Sequence, residues 1–165
     1  MRTLSKSLIA ILIATFMTGS SRLAAQGIVT QRGLSLAMAK TIAEAALAEC
    51  KAKNFHTAVA VVDRAGQILV VLRDEQATAS MVEMATRKAF TARTFRMSTL
   101  DFQKRTADPA YAAQRDVKDI LALGGGVPIM LGEEVIGGVA SSGSSQTQDD
   151  ACAKAGVAKV ADLLK

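Results

Sequence analysis

His56 is the only histidine in a chain of 165 residues. An imidazole can supply one ligand to an iron or another transition metal. A zinc site made by protein alone needs three or four ligands, so a lone histidine points to a single bond to a metal held mostly by something else. The plain alternative is a half-exposed histidine at a turn. Met81, Met84 and Met97 belong to a set of seven methionines. Thioethers are soft metal ligands, and at helical spacing they equally serve as flexible core filler. Tyr111, the only tyrosine, offers a phenolate ligand or a surface anchor.

A second group of residues suits anions. Lys88, with Arg87 and Arg93 nearby, can hold carboxylates; it can also lie on a solvated face or pair with Asp63 or Asp149. Gly124, Gly125 and Gly126 can present backbone N–H groups to an anion or simply form a tight turn. They lack the spacing and the following lysine of a phosphate loop. Asp63, Lys88 and Asp149 are candidates for proton transfer, although no spacing supports a particular reaction. Asp149 also suits the start of a helix, where a side-chain oxygen satisfies exposed N–H groups. Ser141, Ser142, Ser144 and Ser145 surround Gly143 with no histidine near them in sequence, which argues against a serine nucleophile.

The elements that must position these groups follow from periodicity. Leu34, Met38, Ile42, Ala45 and Ala46 make the apolar stripe of a helix over 34–53, with Ser35 as its N-cap candidate. The valine-rich segment 57–64, the turn at Ala65-Gly66 and the segment 67–73 predict a hairpin. A second helix is expected over 79–95 and a short one over 98–104. Pro109 suits the first position of another, reaching about Asp119. Ile120–Leu123 is expected as a short extra strand. A second hairpin follows, with strands at 127–131 and 135–140, and a closing helix over 148–164. Hairpins joined by helices predict an α+β fold, an antiparallel sheet with helices packed on it. Cys50 falls late on the first helix and Cys152 early on the last. A bridge needs their Cα atoms within about 7 Å, so a disulfide and two half-buried thiols both stay open.

Read in order, Val61-Val62-Asp63 with Gly66, Lys88-Ala89, Gly124 to Pro128, Gly143, Gln148-Asp149, Cys152-Ala153 and Ala155-Gly156 resemble the GlcG/HbpS family of haem-binding proteins. The resemblance spans roughly residues 34 to 164. It implies a profilin-like α+β sandwich, haem as a cofactor and a homo-oligomer. It also implies a kinship with the C-terminal domain of PduO-type corrinoid adenosyltransferases. Lys88 occupies the family's Lys-Ala position. No axial ligand is carried over, so His56 and Met84 stand as ligand candidates on their own chemistry. Lys88 and Gly124 to Gly126 are the candidates for haem propionates or a small carboxylate.

Residues 1–25 read as a cleaved secretory signal peptide: Arg2 and Lys6, the apolar run Leu8–Met17, then Leu23-Ala24-Ala25 before the cut. Residues 26–165 are then one domain in the periplasm or outside the cell. The leader contains Arg2, Lys6 and Arg22. Removing them from the 20 basic residues leaves 17 against 15 acidic ones, a net charge of +2 rather than +5. With no basic cluster, nucleic acid is not an expected partner. Three readings stand: an exported haem-binding protein that scavenges, buffers or reports haem to a membrane sensor; a small-carboxylate-binding accessory protein of a catabolic pathway; and an enzyme using an Asp/Lys pair.

Overall fold

A computed structural model describes Gly27 and residues 29–165; the expected signal peptide lies outside the described residues. Helix α1 (Leu36–Ala52) begins where the Ser35 side chain accepts from the Met38 N–H at 3.1 Å. Strands β1 (Ala58–Asp63) and β2 (Ile68–Arg73) form the first hairpin. Asp63 closes its turn by accepting from the Ala65 and Gln67 N–H groups at 2.8 and 2.9 Å, the usual service of an aspartate at a turn. Helices α2 (Ala79–Phe95) and α3 (Thr99–Arg105) follow. Strands β3 (Gly126–Leu131) and β4 (Glu134–Ser142) make the second hairpin, and α4 (Gln146–Ala158) closes the fold.

The sheet is antiparallel throughout in the order β2-β1-β4-β3. Pairing β1 with β4 joins the two hairpins side by side. Alternation along β1 then divides the core. Val59 and Val61 pack with Ile42, Ala46, Val139 and Ala153, on the side of α1 and α4. Ala58, Ala60 and Val62 pack with Ala85, Ala89 and Ala140, on the side of α2. The second face is built largely of alanine, so α2 lies close against the sheet.

The expected α+β sandwich is therefore present, with local corrections. Ile120–Leu123 is not a strand: the Leu121 N–H donates to Thr91 Oγ1 at 2.9 Å and the Leu123 N–H to the Leu121 carbonyl at 3.0 Å. Those donors are spent on a helix side chain and a local turn rather than a ladder. The helix after Pro109 is a 3-10 helix, Pro109–Asp116. The last helix starts two residues earlier than expected, with Ser145 as its N-cap, and stops at Ala158. Cys50 and Cys152 form a disulfide with a Cα–Cα distance of 5.6 Å, tying α1 to α4.

Candidate functional site

Helix α2 carries one lysine on its buried alanine face. Lys88 is 1 % exposed and Asp149, from the first turn of α4, is 3 % exposed at the side chain; Lys88 Nζ stands 3.0 Å from Asp149 Oδ2. The ammonium also donates to the Ser141 carbonyl at 3.1 Å. The other carboxylate oxygen of Asp149 accepts from the Ser144 N–H at 3.1 Å and its hydroxyl at 2.7 Å. Burial pushes the Lys88 ammonium below the usual lysine range, and the attraction of Asp149 opposes that push. The Ser141 hydroxyl lies 3.5 Å from both Asp149 Oδ1 and Cys50 Sγ, so the ion pair and the disulfide meet at one residue.

The glycine turn packs on this pair. A Cβ at Gly125, whose φ is +123°, would come within 2.7 Å of the Ser141 carbonyl and 2.9 Å of Lys88 Nζ. A Cβ at Gly126 would come within 2.5 Å of the Lys88 carbonyl. Only glycine allows both the backbone angle and the approach. The Gly124 N–H donates to Gln146 Oε1 at 2.7 Å and the Gly126 N–H to Thr99 Oγ1 at 2.8 Å. The turn thus packs on Lys88, whose ammonium is spent on Asp149 and the Ser141 carbonyl rather than left free for an external anion, and two of the turn's donors are engaged by side chains. Asp63 is not in this group; it serves the β1–β2 turn.

His56 sits just before β1 in a different constellation. Its Nδ1 lies 2.8 Å from Asp74 Oδ1; the imidazole is 40 % exposed and the carboxylate 2 %. Asp74 also accepts from the Gln76 N–H at 3.0 Å, and Lys51 Nζ stands 3.4 Å from its second oxygen. The Gln76 N–H is the chief cause that holds the Asp74 carboxyl below its usual range; His56 and Lys51 add to it against the cost of burial. An ionised carboxylate only accepts, so Nδ1 carries the proton toward Asp74. In the neutral imidazole Nε2 then keeps its lone pair. A carboxylate behind the other ring nitrogen is the usual support of a metal-ligating histidine. Nothing in the sequence marked Asp74, because the contact bridges the two ends of the β1–β2 hairpin.

Met84 is half-buried on α2, one turn before Lys88. Met81 Sδ lies 3.9 Å from the Ser142 hydroxyl. The Tyr111 ring has the Arg105 guanidinium 4.6 Å above it. Sequence reasoning also passed over a cluster around Glu134, which accepts from Arg32 at 2.7 Å and from Arg64. Those two guanidiniums, Arg64 foremost, hold the Glu134 carboxyl below its usual range.

Asp74 and Glu134 set an expected acid response. Their native values lie below 3.8 and 4.5, the values for the free groups. The stability they contribute is complete above those free values and is lost as the pH falls through the lower native ones. Urea midpoints should therefore drop below about pH 4, and Asp74→Asn with Glu134→Gln should flatten that drop. An unchanged slope in the double variant would refute the assignment.

The family model described as "Haem degrading protein HbpS-like" matches residues 34–158. An uncharacterized 15.0 kDa protein in the dhaT-dhaS intergenic region of Citrobacter freundii is 32% identical over 119 residues, 70% of this chain and 84% of that protein. A double mutant of Streptomyces reticuli HbpS has a similar structure, with TM-score 0.77 and 33% identity over 86% of this chain and 97% of that one. The PduOC:heme complex superposes with TM-score 0.70 and 24% identity over 78% of this chain and 95% of that one, a likeness of fold alone.

Proposed function

Because the chain belongs to the HbpS-like family, we propose that it binds haem, whose iron His56 Nε2 would hold through its lone pair. The observation that carries this is the buried Asp74 carboxylate on His56 Nδ1. It fixes the tautomer and ring orientation a ligating imidazole needs. Lys51, with its ammonium 59 % exposed beside Asp74, supplies positive charge for a propionate. Bound haem brings a redox-active iron; the chain's contribution is one nitrogen ligand, its carboxylate support and that cation.

We further place the protein outside the cytoplasm, as an exported haem scavenger, buffer or sensing accessory that works as a homo-oligomer. The leader motif supports export. So does the Cys50–Cys152 disulfide, since such bonds persist mainly in oxidising compartments.

Titration of residues 26–165 with haemin, followed at the Soret band, tests the reading. Saturation near one haem per chain is expected, with saturable binding abolished by His56→Ala. Asp74→Asn should weaken affinity by about 10–100-fold. Saturable binding that survives in His56→Ala would overturn the ligand, and only non-saturating adsorption would overturn haem binding itself.

A further inference from the structure

At the end of β1 remote from His56, four arginines gather around one carboxylate. Arg32 and Arg64 share Glu134. Arg93, in the last turn of α2, and Arg96, just beyond it, have no carboxylate within ion-pair distance among the described residues. Arg96 is held in the left-handed region with φ +58° and donates to the Glu133 carbonyl at 3.0 Å. A cavity of about 210 Å³ opens between these groups, lined by Arg64, Arg93, Thr94, Arg96, Glu134 and Val135. Arg93 Nε and Thr94 Oγ1, buried atoms of two of these residues, have no hydrogen-bond partner.

Neither the helix end nor Glu134 accounts for this charge. A helix C-terminus favours a nearby cation by about 0.3–1 kcal/mol, a reason for one cation rather than four. Glu134 is already shared by two guanidiniums. Buried donors are nearly always satisfied, and guanidiniums are the side chains that match planar or tetrahedral oxyanions with paired hydrogen bonds. We propose that this cavity is a binding site for a small multivalent oxyanion, a short dicarboxylate or a phosphate. Arg93 and Arg96 supply the principal cationic contacts, and Arg64 supplies a third while held by Glu134. The cavity lies below the roughly 300 Å³ at which pockets for drug-sized ligands begin, which selects small ions. Six strand residues at about 3.3 Å each separate it from His56 by some 20 Å, so it stands apart from the proposed haem ligand.

The test is calorimetric titration of the haem-free protein with succinate and, separately, with inorganic phosphate, at matched ionic strength in chloride. One saturable site per chain is expected for at least one probe. Arg93→Gln should weaken it tenfold or more. Arg96→Asn should do the same while keeping the fold, because asparagine tolerates the left-handed region. His56→Ala should leave it unchanged. Saturation by succinate alone supports an organic acid as the occupant; saturation by phosphate alone supports a phosphate group. Absence of saturable heat with both probes would overturn the site, as would wild-type affinity in the folded Arg96→Asn variant.

Discussion

Methionine in place of Lys88 will lower the unfolding free energy by about 3–5 kcal/mol, the usual result of removing one partner from a buried ion pair. The side chains are similar in length, so the loss is electrostatic rather than a cavity. Asp149 would keep its two bonds from Ser144 but would face the Ser141 carbonyl with no cation between them. Asp149→Asn should cost a comparable amount by stranding the ammonium. The double variant Lys88→Met/Asp149→Asn should lose less than the two single losses added together, because the unpaired buried charge is then gone. Urea unfolding at constant pH gives all three values. A loss below about 1 kcal/mol for Lys88→Met would mean that the pair does not hold α2 to α4.

The second large effect belongs to the disulfide. It joins positions 102 apart in sequence, and closing a loop of about 100 residues restricts the unfolded chain by roughly 4.7 kcal/mol in the chain-entropy model. Cys50→Ala/Cys152→Ala should therefore lose about 4–5 kcal/mol. Both cysteines are fully buried, so thiol reagents should open the bond only as fast as α1 and α4 separate. The urea midpoint of the double variant and the rate of reduction under native conditions check the two statements. Rapid reduction without loss of structure would contradict the second.

The regular elements were legible because their signals are local. Ser35 capped α1 as read, the valine-rich run at 57–64 became β1, and the 79–95 helix agrees at both ends. Lys88 stood out through the Lys-Ala position of the family resemblance; in the fold it interrupts a stripe of buried alanines on α2, where a charge must find a partner. Which partner it finds depends on the β1–β4 pairing that brings α4 over the glycine turn, and no spacing encodes that pairing. Asp149 looked like a cap because acidic residues favour helix starts. In the fold Ser145 does the capping, and that leaves Asp149 to turn inward. The extra strand at 120–123 failed because apolar composition alone cannot say whether a ladder partner is within reach. Asp74 and the four arginines were illegible for a similar reason: each cluster draws on segments that meet only after the hairpins have formed.

The staple between α1 and α4 has a topological consequence. All four strands, α2 and α3 lie between Cys50 and Cys152, so these elements belong to one covalent ring closed by the disulfide. A protease that cuts one peptide bond anywhere in that ring leaves a single molecule of unchanged mass apart from one added water. Its two pieces part only when thiols are supplied. The exposed tip between β3 and β4 is one place where such a nick, or a deliberately opened pair of new ends, would leave the hydrogen-bonded ladder intact.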